Sequence, residues 1–342
     1  MKVVIVSATA PLVVGGARLV VDCLHEALQG HGHQVETAHI PYVDEPADAL
    51  SQMAAFRMLK IENADRVIAL QPPAHLIEHP HKIVWFARHS RQFYNLWDEK
   101  YPSIPGSPYH RAIRSLVHQA DTVGLKAASH LFAQSKAASR RLMELNGLES
   151  EVLYPPVSHP ERFIAEAYGD EIVCICGLEP RKRQHLLVEA MRYVRTPVKL
   201  RLCGRSLDAA YVYDLKVASE EFPGKIQVED RLISEDEKVE RLSMALASAY
   251  IPCSDDSCGY PPLEAAHARR CTLTVTDSGG VRDFVINGEN GFVVEPDPKS
   301  IAEAFDMLYN DRKATVRMGE SAENRTRELG IAWPNVLERL LA

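Results

Sequence analysis

Two carboxylates, Asp256 and Glu264, lie eight positions apart in a segment that reads SDDSCGYPPLEA over residues 254–265 and follows an apolar run. Gly259 lets a backbone approach a ligand closely. A proline at 261 or 262 suits the first turn of a helix, whose N–H groups attract an anion such as a diphosphate. The carboxylates would then face sugar hydroxyls. The structural alternative is an acidic residue that favours a helix start, within an ordinary Asp-Ser-Gly loop.

Three successive cations, Arg181, Lys182 and Arg183, follow another apolar run and precede a helical segment. A lysine supplies a point charge, and an arginine supplies a planar fork that binds two oxygens, so the cluster suits a diphosphate. A solvated cationic turn is the alternative interpretation.

Two loops of the N-terminal half carry further candidates. Gly15 and Gly16 follow the first apolar run, and His89 stands just beyond the run Ile83–Phe86, between Arg88 and Arg91. Paired glycines allow a ligand to come close to the backbone, and a histidine past a strand end is placed to reach it. Taken alone, such glycines are common in strand-to-helix turns, and a lone histidine is more often a surface or core residue.

The elements that must position these loops alternate along the chain. Strand-like runs alternate with helix-period segments, which predicts α/β architecture with parallel sheets. Among them we expect a helix over Glu235–Ala247 and a strand over Ala249–Pro252. The prolines of Tyr154-Pro155-Pro156 interrupt the alternation, so we place a linker at about residues 155–163. The chain should form two doubly wound domains, residues 1–158 and 159–330, with ligands outside the carboxyl ends of the strands.

The segment around Glu264 resembles the acidic signature of retaining glycosyltransferases of the GT-B fold, in particular family four (glycosyl transferases group 1). That signature is Glu, seven residues, Glu, with internal Gly and Pro and a final Leu-Glu-Ala. The positions that match are Gly259, Pro261, Leu263, Glu264 and Ala265. Three positions depart: Asp256 replaces the first Glu, Cys258 replaces an aromatic residue, and Gly177 replaces an arginine five residues before the matching Lys182.

The resemblance implies two Rossmann-like domains facing each other across a cleft, with the acceptor side in residues 1–158, joined by a final helix over 333–342, and the donor side in residues 159–330. It implies that His89 faces the transferred sugar, Asp256 positions that sugar, Lys182 stabilises the leaving diphosphate and Glu264 holds the donor ribose. The donor-binding residues would be Gly15, Gly16, Arg181, Lys182, Gly259, Tyr260, Pro261, Leu263 and Glu264.

The implied reaction is retaining transfer from a nucleotide-diphosphate-sugar donor to a glycan or lipid-linked acceptor, in polysaccharide or glycolipid assembly. The resemblance implies neither a cofactor nor a bound metal, because cations and helix ends take up the diphosphate charge.

Charge and composition restrict the partners. Net charge is −7, and residues 1–158 are balanced, so the protein is a poor candidate for nucleic-acid binding. Seven cysteines without paired ligand spacing predict reduced core thiols, hence a cytoplasmic protein. Peripheral contact with the inner face of an anionic membrane would use Arg111, Arg114, Lys136, Arg140 and Arg141.

Three rival functions remain open. A nicotinamide dehydrogenase requires Gly-x-Gly-x-x-Gly after the first strand, where this chain has only Gly15-Gly16. A sugar-nucleotide epimerase or phosphorylase of the GT-B fold would keep the phosphate loops and need no sugar acceptor. A non-catalytic nucleotide-sugar-binding relative would tolerate Gly177 and Asp256.

Overall fold

The computed structural model of the protein describes residues 1–11, 15–43, 45–94, 107–254 and 256–342. The chain divides into two units, Met1–Pro155 with Trp333–Ala342, and Pro156–Ala332. Each unit contains a six-stranded parallel sheet with helices in the crossovers, as the alternation predicted.

The first unit begins with strand β1, whose apolar residues are buried because the sheet is covered by helices. Its strands are β1 (Lys2–Thr9), β2 (Gln34–Pro41), β3 (Arg66–Ala69), β4 (Lys82–Phe86), β5 (His130–Ala133) and β6 (Glu151–Val152). The helices between them are α1 (Gly16–Gly30), α2 (Ala49–Met58), α3 (Pro108–Lys126) and α4 (Lys136–Asn146).

The strand order of the first sheet is β2-β1-β3-β4-β5-β6. The chain leaves β1 toward β2 and then returns to the other side of β1 to form β3. A crevice therefore opens at the carboxyl ends of β1 and β3, the point where ligands bind in doubly wound sheets.

The second unit repeats this plan. Its strands are β7 (Glu171–Ile175), β8 (Lys199–Cys203), β9 (Ile226–Glu229), β10 (Ala247–Ala249), β11 (Thr272–Val275) and β12 (Gly291–Val294). Its helices are α5 (Gln184–Ala190), α6 (Ala209–Ser219), α7 (Glu235–Met244), α8 (Pro261–His267), α9 (Val281–Phe284), α10 (Pro298–Asn310) and α11 (Arg312–Glu328). The order β12-β11-β10-β7-β8-β9 puts the change of direction between β7 and β10.

One element boundary differs from the expectation. The predicted helix Glu235–Ala247 ends at Met244, because Ala245 is extended with φ −67° and ψ 154°. The apolar run that follows enters the sheet as β10, two residues earlier than the predicted strand Ala249–Pro252. Helical periodicity and a short buried strand overlap in an alanine-rich run, so the pattern alone does not separate them.

After α11 the chain returns to the first unit as α12 (Trp333–Leu341). The Arg66 guanidinium donates to the carbonyl oxygens of Leu340 and Ala342, both at 2.9 Å. Trp333 packs edge-to-face on the buried Trp85, with ring centroids 6.4 Å apart. The apolar face of α12 thus completes the core of a unit whose other elements precede residue 156.

All seven cysteines are free thiols, and none forms a disulfide. Cys174 lies in β7 and Cys176 directly after it, with sulfur atoms 3.8 Å apart. Within the described residues, we find no helix with the length and apolar character needed to cross a bilayer.

Leu340→Ala should lower the free energy of unfolding by about 2–5 kcal/mol, because it leaves a cavity in the core of the first unit. Leu340 is fully buried, at 0% exposure. The matched control is Glu338→Ala, an exposed position on the same helix. Urea denaturation of both variants would measure the difference, and equal stabilities would contradict the assigned packing of α12.

Candidate functional site

Two loops meet at the carboxyl ends of β7 and β10, where the second sheet changes direction. The first contains a single 3-10 turn, Pro180–Lys182, and the second follows β10 from Tyr250 onward. The backbone N–H of Cys253 donates to the Arg181 carbonyl oxygen at 2.9 Å, which joins the two loops directly. The sequence-predicted cations and the first predicted carboxylate lie here; Asp255 is outside the described residues.

Lys182 and Asp256 form an ion pair at this point. The Lys182 Nζ lies 2.5 Å from Asp256 Oδ2 and 2.6 Å from the Tyr250 hydroxyl. Both charged side chains are largely buried, at 18% and 11% exposure. Burial alone would lower the pKa of Lys182, but the adjacent Asp256 carboxylate outweighs it and raises that pKa. The ammonium is therefore charged and already has an anionic partner.

Tyr250 completes a three-membered group. Its hydroxyl accepts from Lys182 and donates to Asp256 Oδ2 at 3.0 Å. Burial, followed by the charge of Asp256, raises the pKa of Tyr250 well above its ordinary value, so it remains a phenol. Its hydrogen bonds fix where both charged groups stand.

Gly259 packs against this tyrosine. It has φ +75°, and a β-carbon at this position would lie 2.6 Å from the Tyr250 hydroxyl oxygen. Both the backbone conformation and the close neighbour therefore require glycine, whether or not a ligand approaches.

Arg183 fastens the loops from the other side. Its guanidinium binds both oxygens of Asp277 at 2.7 and 2.8 Å and donates to the Ile251 carbonyl oxygen at 2.8 Å. This fork-to-carboxylate geometry gives Arg183 a structural role. Arg181, the first of the three cations, is half-buried beside this site.

Glu264 stands apart from the ion pair of Lys182. It lies in the first turn of α8, with its side chain 5% exposed, and its Oε1 is 2.8 Å from the Nζ of Lys238 in α7. Burial raises the pKa of Glu264, and Lys238 opposes that shift. Tyr260 and Leu263, on either side of the two prolines, are also buried.

The start of α8 does not present the bare amides that the sequence suggested. Pro261 and Pro262 have no N–H group. The N–H groups of Leu263 and Glu264 both donate to the Tyr260 carbonyl oxygen, at 2.9 Å. The first turn from 261 to 264 therefore offers no free N–H group to an anion.

The crevice of the first unit is a cavity of about 310 Å³ at the carboxyl ends of β1–β4. Gly15 borders it as the residue before α1, with Gly16 as the exposed first residue of that helix. Gly15 is extended, and nothing lies within 4 Å of where its β-carbon would be. Two buried polar atoms on the lining residues have no hydrogen-bond partner, Gln71 Oε1 and Ser90 Oγ.

His89 lies beside this cavity but is enclosed, at 3% exposure. Its Nε2 is 2.7 Å from Asn146 Oδ1, and its ring stacks on Tyr94 with centroids 4.1 Å apart. Its Nδ1 is buried without a partner. Burial lowers the pKa of His89 to about 4, so the imidazole is neutral at physiological pH.

Sequence reasoning missed Tyr250, Lys238 and Asn146. Tyr250 reads as the end of an apolar run, and Lys238 as one more charge in the first turn of an acidic helix. Neither position signals its polar contact, because Lys182 and Glu264 are contributed by other elements. Among the residues with described positions, no group of three or more metal-ligating side chains comes together.

Comparison with known proteins gives one family match. Residues 162–325 match the model of the family described as "Glycosyl transferases group 1". Human alpha-1,3/1,6-mannosyltransferase ALG2 is 24% identical over 215 residues, covering 54% of this chain and 50% of the human protein. Mouse ALG2 is 29% identical over 98 residues, covering 29% of this chain and 23% of the mouse protein. The chain thus matches half or less of the length of these relatives.

Solved structures match over almost the whole chain. HepE of Anabaena in complex with UDP has a TM-score of 0.70 at 14% identity, covering 100% of this chain and 98% of that one. Sucrose-phosphate synthase of Thermosynechococcus elongatus has a TM-score of 0.77 at 14% identity, covering 98% and 97%. At this identity the likeness establishes the fold alone.

The neutral state of His89 has a consequence for stability. An unfolded histidine has a pKa near 6.5, whereas burial lowers the pKa of folded His89 to about 4. The unfolded chain therefore binds the additional proton between these values, and the free energy of unfolding should fall as pH drops from 6.5 toward 4. His89→Gln should make this slope shallower. Denaturation at several pH values would measure this slope. An NMR titration that gives His89 a pKa of about 6 or higher would contradict the prediction.

Proposed function

We propose that this protein transfers a sugar from a nucleotide-diphosphate-sugar donor to a glycan or lipid-linked acceptor. Its GT-B fold and the match of residues 162–325 to the glycosyl transferases group 1 family are the premise. The observation that carries this proposal is the charged, buried Lys182 with Asp256 and Tyr250 where the second sheet changes direction. The relative named as a mannosyltransferase and the neighbour solved with UDP-glucose support sugar transfer and an activated donor.

The donor diphosphate binds by partner exchange at Lys182. A diphosphate carries more negative charge than one carboxylate, so it competes for the ammonium that Asp256 holds in the free protein. Arg181 adds a second cation. Asp256, released from the ion pair, then accepts from hydroxyls of the transferred sugar. Tyr250 keeps Lys182 in place during the exchange.

Glu264 holds the donor ribose. A carboxylate only accepts hydrogen bonds, and two adjacent ribose hydroxyls are matching donors. Its burial excludes water, so each such bond contributes more than it would at the surface. Gly259, Tyr260, Pro261 and Leu263 form the turn that carries Glu264 to this position.

Catalysis stabilises two opposite charges. The anomeric carbon becomes oxocarbenium-like as the bond to the diphosphate breaks, and Lys182 and Arg181 stabilise the departing anion. The family resemblance supports retention of the anomeric configuration and a reaction that needs no bound metal.

The acceptor side is the first unit. Gln71 Oε1 and Ser90 Oγ lack partners in a cavity that Gly15 borders, which suits a ligand with several hydroxyl groups. On the family resemblance we assign the contact with the transferred sugar to His89, whose Nδ1 is buried without a partner and would have to become exposed for that contact.

We further propose a peripheral contact with the inner face of a membrane. The exposed side of α3 carries Tyr109, Leu116 and Val123 at seven-residue spacing, so they share one face of the helix. Arg111 on the same helix and Arg140 on α4 are exposed cations. Exposed apolar residues on a helix that also carries exposed cations are typical of helices that lie on an anionic surface.

Lys182→Ala and Glu264→Ala should each reduce sugar transfer by at least ~10²-fold, because each removes a charged contact to the donor. Arg192→Ala is the matched control, since Arg192 pairs with Glu221 at the surface of the same unit. Assays with radiolabelled nucleotide sugars and a panel of glycan and lipid-linked acceptors would measure the effect. Wild-type activity in both variants would remove the assignment of this site.

The same assays distinguish the alternative functions. Donor epimerisation without transfer would favour the epimerase alternative. Donor binding without turnover would favour a non-catalytic relative.

Metal independence has its own test. Removal of divalent cations with a chelator should leave transfer largely unchanged, because Lys182 and Arg181 supply the positive charge at the leaving group. Strong inhibition that one divalent ion reverses would contradict the proposal. The control is a titration with that ion in the absence of chelator.

A further inference from the structure

Lys238 occupies an unfavourable place for a lysine. It is 8% exposed, in the first part of α7, directly after Glu235, Asp236 and Glu237. The positive end of the helix dipole disfavours a cation there, and burial of an ammonium removes its hydration. Two separate penalties at one residue call for a compensating interaction.

The compensation comes from two carboxylates of different character. Lys238 Nζ lies 2.8 Å from Glu264 Oε1 and 2.7 Å from Glu235 Oε1. The Glu235 side chain is 54% exposed, so that pair contributes little. The Glu264 side chain is 5% exposed, so its ion pair is buried, and loss of either partner would leave an uncompensated charge.

The rest of α7 is fixed so that this contact is maintained. Ser234 and Glu237 form a capping box at its start, with hydrogen bonds of 3.1 and 2.9 Å. At its end, the fully buried Arg270 donates to the Leu242 carbonyl oxygen at 2.8 Å. Because Arg270 follows α8 closely, α7 and α8 are joined at both ends of α7.

We propose that Lys238 is a positioning residue for donor binding: its ammonium group holds one oxygen of Glu264, so that the other oxygen accepts from the ribose hydroxyls of a nucleoside diphosphate. The inference rests on the proposed function, in which Glu264 contacts the ribose. Burial raises the pKa of Glu264, and Lys238 is the cation that opposes this. Without Lys238 the pKa of Glu264 would rise further, because burial would act on the carboxyl group without an opposing cation.

The test is a ribose-discrimination measurement. Isothermal titration calorimetry would give Kd values for uridine, guanosine and adenosine diphosphates, and for their 2′,3′-dideoxy analogues. The wild-type protein should prefer the ribose form of its nucleotide by about 10-fold or more, as expected for hydrogen bonds to a charged group. Glu264→Gln should lose this preference, and Lys238→Met should lose it to a similar extent.

Two variants separate positioning from a general structural role. Lys238→Arg keeps the charge and should retain most of the preference. Glu235→Gln removes the exposed partner of Lys238 and should leave the preference unchanged. A purely structural lysine would instead alter thermal stability while the ratio of the two Kd values stays at its wild-type level. If Lys238→Met does not fold, Lys238→Gln gives the same comparison with a neutral side chain that still donates.

The outcomes distinguish the two levels of the argument. A wild-type protein that binds none of the three nucleotides, or binds ribose and dideoxyribose forms equally, contradicts the proposed donor site itself. Loss of discrimination in Glu264→Gln but not in Lys238→Met or Lys238→Gln overturns the role of Lys238 and leaves the donor site standing. Parallel loss in both supports the inference.

Discussion

The ion pair between Lys182 and Asp256 is the interaction on which the proposed donor site depends. It joins the loop after β7 to the loop after β10, and Tyr250 holds both partners. A lysine confined in a largely buried site would be costly without an anion, so the position always favours a negatively charged neighbour. In this structure that neighbour is the carboxylate of Asp256.

The surrounding loops restrict this pair to one geometry. Arg183 forms hydrogen bonds with the Asp277 carboxylate. Position 279 requires glycine, because a β-carbon there would lie 2.5 Å from the Ser254 carbonyl oxygen. These contacts explain why glycines and a cation recur in this part of the sequence, since each satisfies a steric or electrostatic demand of the loops. Residues proposed to bind the donor and residues that support the loops therefore lie in the same motifs, and a motif alone does not distinguish them.

The doubly wound fold predicted from the sequence is confirmed by the comparisons, and residues 162–325 match the model of the predicted family. The alternation of apolar runs and helical segments along the sequence is enough to indicate this fold. Lys182 and Asp256 lie close together because each is in a loop that follows a strand of the same parallel sheet. The expectation of bare amides in the first turn of α8 was wrong. The sequence already showed why, because Pro261 and Pro262 have no N–H group. Lys238 was missed because its partner lies in another helix, and burial of a charge is visible only once both elements are packed.

The return of α12 to the first unit has a consequence for biosynthesis. The second unit is one continuous stretch, Pro156–Ala332, whereas the first lacks a core helix until residues 333–341 have been made. During vectorial synthesis the N-terminal sheet must therefore wait, with Trp85 and its apolar neighbours uncovered, while the second unit emerges whole from the ribosome. A segment translated after the whole of the second unit therefore completes the first unit.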